Sequence, residues 1–357
     1  MKSNKFLLYG ANGYTGRLIA RFASGYGLTP ILAGRSKAPL EEMAKQLNLS
    51  YKVIELDDNN ALTAALREVS VVLHAAGPFE HTAKKMAQAC LETGTHYLDI
   101  NGDVAVFEML KGMHKLAVEA GIMIMPGVGF DVVPTDCIAV ALQKKMPHAV
   151  RLQLAFASTG GGLSHGTAIT MASKLGEGGL ARRNSLITKV PLGADGVAID
   201  FFAGKMQASK KMFVMSIPWG DISTAYSSTG IPNIDTYTGI PKKVFYILKF
   251  QNSFNWLLRT SLVRSVAVKK IKALPVGPSD DQRKTARSLV WGRVTDATGA
   301  TATARLCGPD GYTLTMYTAL IISKKVLSGD FTPGYQTPAV QYGQGLIQEV
   351  PGVEIDY

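Results

Sequence analysis

The chain has only three cysteines, Cys90, Cys137 and Cys307, an odd number with no CxxC spacing. That excludes a disulfide framework and a thiolate zinc cage, and it fits a reducing, cytoplasmic setting. The six histidines show no HExxH or related ligand spacing with the carboxylates, so no catalytic metal is expected. No unbroken apolar run approaches the ~18 residues of a membrane span. Phe6 to Tyr9 is too short for a signal-peptide core before Gly10. No sequence period repeats, and no low-complexity tract exceeds Gly160-Gly161-Gly162, which leaves out solenoids and disordered linkers. Finally, no tyrosine is followed four positions later by lysine. The proton-transfer pair that short-chain dehydrogenases place beside their cofactor is therefore missing.

What is present is core-forming material. The chain has 357 residues, 46% hydrophobic and 18% charged, and at roughly 150 residues per domain it should fold as two domains. Over the first 130 residues, short β-branched runs alternate with segments of helical period, the pattern of stacked βαβ units around a parallel sheet. Six strands are expected, near Phe6 to Tyr9, Pro30 to Ala33, Tyr51 to Glu55, Val71 to Ala75, His96 to Ile100 and Ile122 to Pro126. The intervening helices include one long segment from Val106 to Ala120. Beyond Pro126 the texture changes to a helix near Thr135 to Lys145 and then to alternating, glycine-rich stretches such as Arg151 to Ala157. Residues 1–130 should therefore be one domain and 131–357 a second, mixed α+β domain, whose C-terminal segment is free to pack back on the first.

The first strand runs into Gly10-Ala11-Asn12-Gly13-Tyr14-Thr15-Gly16 and then a helix with Leu18, Ile19 and Phe22 on one face. A dinucleotide site needs such a tight turn, a bare backbone where pyrophosphate approaches, and helix N–H groups aimed at it. The spacing is GxxGxxG rather than GxGxxG, and a glycine turn can also serve strand-to-helix packing alone. Its position after the first strand favours a doubly wound parallel Rossmann sheet that binds a dinucleotide. The second strand ends in Gly34-Arg35-Ser36-Lys37, where an NAD-type site would carry an acid. A guanidinium there pairs with a 2′-phosphate, so NADP is the expected cofactor. Asp57 is placed either to contact the adenine edge or to cap a helix. Ala76, Gly77 and Pro78 should pass close to the cofactor ribose.

Together with His74-Ala75-Ala76-Gly77-Pro78-Phe79, Gly94-Thr95-His96-Tyr97-Leu98-Asp99 and Gly129-Phe130-Asp131-Val132-Val133-Pro134-Thr135-Asp136, these motifs resemble the saccharopine dehydrogenase-like oxidoreductases, including the trans-acting enoyl reductase branch. The resemblance is most specific over residues 6 to 136. It implies an NADP-binding domain and a second domain capping the nicotinamide cleft, with hydride transfer between NADPH and a C=C, C=N or C=O group of a small-molecule or acyl substrate. A non-catalytic NADP-responsive binding or scaffold protein is the rival reading.

Ligands of an open α/β sheet lie outside the carboxyl ends of its strands. Asp99 and Asp131 are therefore candidates to orient substrate or a proton donor, although both also suit caps and turns. Ser164-His165-Gly166-Thr167 precedes an expected helix over Ala168 to Leu175, whose N-terminal N–H groups could hold an anion. His165 is the proton-donor candidate, because an imidazole titrates near neutrality. Gly162-Leu163-Ser164-His165-Gly166 also matches a nucleophile elbow, but a glycine run separates Ser164 from its strand, which argues against hydrolysis.

The net charge is +11. Residues 242–274 carry eight Lys or Arg side chains, no acid, and many apolar residues. Such a segment suits peripheral contact with an anionic membrane or reception of a carried acyl chain; equally, it suits helices buried in the second domain or across a homodimer. No recognition motif supports nucleic-acid binding.

Overall fold

The computed structural model describes residues 5–205, 209–273 and 275–357. The chain divides into two compact units, Met1–Val133 with Tyr312–Gln341, and Pro134–Gly311 with Tyr342–Tyr357. The division falls just after Asp131, which belongs to the first unit, and residues 312–341 return to that unit.

The first 125 residues alternate as expected. Strands β1 (Lys5–Tyr9), β2 (Thr29–Gly34), β3 (Tyr51–Val53), β4 (Val71–His74), β5 (His96–Asp99) and β6 (Met123–Met125) are separated by helices α1 (Tyr14–Phe22), α2 (Lys37–Leu47), α3 (Asn59–Arg67), α4 (Phe79–Thr93), α5 (Val104–Lys111) and α6 (His114–Glu119). The second unit runs through α7 (Val133–Lys145), β7 (Ala149–Thr159), α8 (His165–Ser173), β8 (Gly179–Arg183), β9 (Leu186–Val190), β10 (Gly196–Phe201), β11 (Lys210–Ser216), α9 (Asp221–Thr229), β12 (Asn233–Gly239), α10 (Lys242–Gln251), α11 (Asn255–Leu258), α12 (Ser261–Lys272), α13 (Asp280–Thr285), β13 (Arg287–Asp296) and β14 (Thr301–Pro309). Then α14 (Gly311–Leu327) and β15 (Gly334–Tyr335) rejoin the first unit, and β16 (Glu354–Asp356) closes the second.

The first sheet has the order β15-β6-β5-β4-β1-β2-β3, and every pairing is parallel. This is the doubly wound order, with its switch point between β1 and β4, where nucleotides bind outside the strand ends. Leu7, Leu8, Leu32, Val72, Leu73 and Leu98 are fully buried, as strands covered on both faces require.

The expected helix over 106–120 is two helices. Gly112 ends α5, consistent with glycine's poor helix propensity. The new start at His114 lets its Nδ1 accept the Tyr335 N–H at 3.1 Å. A Cβ on Gly334 would lie 2.7 Å from the His114 ring, so the added strand β15 seats directly on that histidine.

The second unit is a mixed sheet, β10-β11-β12-β7-β13-β14-β16, with β8 attached to β12 and β9 to β8. Helix α7 packs on Gly292 of β13, where a Cβ would come within 2.5 Å of Ile138. Ala155, Ala157, Ile199, Phe201, Leu289 and Trp291 belong to one cluster on this sheet, and the residue alternation follows the period of two expected of a strand with unlike faces.

Candidate nucleotide site and buried carboxylates

The turn between β1 and α1 is built from close backbone contacts. Gly10 has φ +88°, and a Cβ there would lie 2.7 Å from the backbone of both Ala75 and Ala76. The Gly10 and Ala11 N–H groups donate to the Ala33 carbonyl at 2.8 and 3.2 Å, and the Ala75 N–H donates to the Tyr9 carbonyl at 2.7 Å. A Cβ on Gly16 would come within 2.4 Å of the Gly10 carbonyl oxygen, so that glycine sets how closely α1 approaches the turn. Gly13 caps α1 without a side chain, and no acid stands in the first turn. The helix mouth thus presents backbone and positive dipole where a diphosphate fits.

Around this turn, Asn12 places Oδ1 beside Gly34, 3.3 Å from where a Cβ would stand, and its carbonyl accepts from Arg17 Nε at 3.0 Å. The Tyr14 ring meets Tyr312 edge-on at 4.9 Å, while Thr15 is half-buried. Arg35 and Ser36 are exposed at the end of β2. Arg35 enters no ion pair among the described residues, and Ser36 caps α2 without a side-chain hydrogen bond. Both remain open to a phosphate. Burial pushes the Tyr9 phenol up to about 12, with the Arg35 charge opposing and Glu55 and Asp57 reinforcing the rise. Asp57 itself is ion-paired with Lys85 of α4. The cap of α3 is Asp58, which accepts the Ala61 N–H at 2.9 Å, so the capping alternative for Asp57 is excluded.

The segment after β4 is pinned from below. Thr82 gives its one hydroxyl hydrogen to the Ala76 carbonyl at 2.9 Å, so His74 Nε2 is the donor in the 2.9 Å bond to Thr82 Oγ1. Full burial then leaves His74 neutral, its pKa lowered to about 3, with Nδ1 unpartnered. This relay fixes the carbonyl of Ala76 and the start of the Gly77-Pro78 turn.

The carboxyl ends of β5 and β6 carry a second constellation. Asp99 is fully buried and accepts the Gly127 N–H at 2.8 Å, the Asn101 N–H at 3.0 Å and the Tyr97 hydroxyl at 2.7 Å. These three donors commit it to holding the strand ends. Burial outweighs them and raises its pKa to about 6. Asp131 packs over Gly102, where a Cβ would stand 2.6 Å from its Oδ2. Burial, then the Asp99 charge, raise Asp131 to about 7. A carboxyl in this state exchanges a proton near neutrality. Nearby, Asn101 Nδ2 is buried without a partner.

Sequence patterns carried no sign of the residues that brace this turn. Thr315 of α14 accepts the Phe130 N–H at 2.9 Å, Thr318 donates to the Val128 carbonyl at 2.7 Å, and the methyl of Thr315 lies 2.8 Å from where a Gly129 Cβ would be. All come from a helix nearly two hundred residues downstream.

In the second unit, His165 is the first residue of α8 rather than part of a preceding loop. The helix start is already occupied. Ser164, buried at 4% exposure, caps it by accepting the Thr167 N–H at 3.3 Å, and the His165 N–H donates to the Val276 carbonyl at 2.9 Å. Protein oxygens therefore take two of the N–H groups at the helix start where an anion was expected. The same unit has a cavity of about 390 Å³ lined by Gln153, Ile199, Tyr237, Trp291, Arg293 and Tyr357, among others. There Arg293 donates to Gln153 Oε1 at 2.6 Å, Gln153 to Tyr237 at 3.1 Å, and Tyr237 to Asp195 at 2.9 Å.

With this geometry in place, comparison with known proteins is informative. Residues 6–125 match the saccharopine dehydrogenase NADP-binding domain family. The chain is 28% identical over 156 residues to the lipid droplet localized protein of Caenorhabditis elegans, covering 40% of this chain and 36% of that one. It is 31% identical over 147 residues to the trans-acting enoyl reductase of Mycobacterium bovis, covering 39% and 35% respectively. The matches thus span little more than a third of the length of these curated relatives. In structure, apo saccharopine dehydrogenase (L-Glu forming) from Saccharomyces cerevisiae superposes with a TM-score of 0.66 over 99% of both chains at 13% identity, which establishes a shared fold. Residues 6–125 thus carry the signature of a saccharopine dehydrogenase NADP-binding domain, and the chain as a whole shares the fold of the yeast enzyme.

Proposed function

We propose that the protein is an NADP-dependent oxidoreductase that reduces a C=C, C=N or C=O group of a small, acyl or lipid-like substrate. The observation that carries this reading is the turn at Gly10: Gly10 and Gly16 leave no room for a Cβ, Gly13 opens the helix without a capping side chain, as a bound diphosphate requires, and Arg35, in no ion pair among the described residues, stands at the neighbouring strand end. NADPH, when bound, supplies hydride. The chain's own residues do the rest. Gly10, Asn12, Gly13 and the first turn of α1 hold the diphosphate, Arg35 and Ser36 hold the 2′-phosphate, and the Ala76 to Pro78 segment borders the ribose. Asp99 fixes the Gly127 turn, and Asp131, neutral or ionised near pH 7, holds or passes a proton at its carboxyl oxygen. His165 is the other candidate donor. The names of the relatives, an enoyl reductase among them, support reduction of an acyl or lipid-like chain.

The test is NADPH oxidation across enals, imines, carbonyls and acyl thioesters. Turnover on one class is expected, with Asp131→Asn or His165→Asn lowering kcat about 100-fold or more while NADPH affinity holds. Tight NADPH binding without turnover on any class would instead support the non-catalytic binding protein.

A further inference from the structure

Helices α10 to α12 expose many apolar side chains alongside their cations. Between residues 242 and 273, eight side chains are Lys or Arg and none is Asp or Glu. Among the described side chains of this segment only Phe245 is buried, against Phe213 at 5.1 Å; no residue of α11 or α12 is fully buried. Part of the attachment is polar: Arg259 Nε donates to the Gly176 carbonyl at 2.8 Å and Arg264 Nη2 to the Leu175 carbonyl at 2.7 Å. Many apolar side chains are left outward, with Ile247 69%, Trp256 72% and Leu262 74% exposed, and Tyr246, Phe254 and Val266 about half exposed. Helix α12 lies against α8 with Val263, Ala267, Val268 and Ile271 half-buried, so the segment is packed on the second unit along one side and leaves the other side open.

Scattered exposed apolar residues are ordinary, but a run of them on three consecutive helices is not. We propose that α10 to α12 form a surface that docks on an anionic phospholipid bilayer, with Ile247, Trp256 and Leu262 entering the headgroup boundary and the lysines pairing with lipid phosphates. Charge decides between occupants. A second copy would set eight cations against eight, with no acid in either segment, whereas an anionic leaflet complements them. Tryptophan and lysine on one segment are also the residue types that favour the interface. No helix among the described residues is long and apolar enough to cross a membrane, so the contact is interfacial.

The experiment uses the full chain with phosphatidylcholine vesicles, with or without phosphatidylserine, read by flotation and by tryptophan emission. The expected result is binding to the phosphatidylserine vesicles, a blue shift, and release by salt. Neutralising the end of α12 with K269Q, K270Q and K272Q together should lower the partition coefficient about 100-fold, with the melting temperature and NADPH binding unchanged. Trp256→Ser should abolish the blue shift and weaken binding without altering its salt dependence. Failure of the native chain to float with phosphatidylserine vesicles overturns the proposal, as does a solution dimer that Leu262→Asp splits into monomers. NADPH binding is measured in parallel, so this result stands apart from the fate of the oxidoreductase reading.

Discussion

Phe130 and Thr315 lie 185 positions apart and are joined by one hydrogen bond, from the Phe130 N–H to Thr315 Oγ1 at 2.9 Å. Through it, α14 braces the turn that carries Asp131, and Thr318 adds a second tie at the Val128 carbonyl. Thr315→Val keeps the shape but leaves a half-buried N–H without this acceptor, which costs about 1–3 kcal/mol. Urea denaturation should show a lower midpoint with an unchanged slope. Thr315→Ser keeps the bond and should cost less. Equal losses in the two variants would mean that the bond contributes nothing.

The first unit was readable from the chain because its strands are short apolar runs and its nucleotide turn is local, with every residue from Gly10 to Gly16 within one motif. What was not readable depends on distant partners. Asp57 pairs with Lys85 of another helix, and the cap that was one alternative for it falls one residue on, at Asp58. The break at Gly112 follows from where β15 meets His114, a residue whose partner comes 221 positions later. Helix α8 begins at His165 because Val276, from a loop far along the chain, accepts its N–H. Local patterns set elements and motifs; they do not say which remote oxygen will claim a donor.

Two glycines in the nucleotide turn should separate folding from binding. Gly10→Ala meets both a φ of +88° and backbone atoms at 2.7 Å, so a loss of about 2 kcal/mol or more is expected along with loss of NADPH binding. Gly13 has an extended backbone, φ −71°, and its nearest atom to a Cβ is at 3.2 Å. Gly13→Ala should therefore fold with nearly native stability while its methyl, at an exposed helix mouth, lowers nucleotide affinity. Calorimetric titration with NADPH alongside thermal melts distinguishes the two. Unimpaired binding in Gly13→Ala would show that the helix mouth is not the diphosphate site.

Under the proposed reading, Arg35 carries the preference between the two nicotinamide dinucleotides. It enters no ion pair among the described residues and is exposed at the end of β2, so its guanidinium is available for charge-assisted hydrogen bonds worth roughly 1.5–3 kcal/mol each. Arg35→Ala should weaken NADPH binding about 10- to 100-fold and leave NADH nearly unchanged. Native affinities for NADPH and NADH that are already equal would remove this role.

Asp99 and Asp131 make stability depend on pH in a defined direction. Burial raises their pKa values to about 6 and about 7, above the ordinary carboxyl value of 3.8. Between about pH 4 and pH 7 the folded chain therefore binds more protons than the unfolded chain, and the unfolding free energy falls as pH rises through this window. Their effect is flat above it, where both are ionised in both states, and flat below it, where both are neutral. Asp131→Asn fixes one site in an uncharged form, so the decline should become shallower and end nearer pH 6, the range of Asp99 alone. At pH 8 the variant should be more stable than the native chain, because the native fold there holds a second, half-buried negative charge beside Asp99. Denaturant titrations at half-unit pH steps test this. Parallel curves for the two proteins across the window would show that Asp131 is ionised throughout, and the proton-holding role assigned to it would be withdrawn.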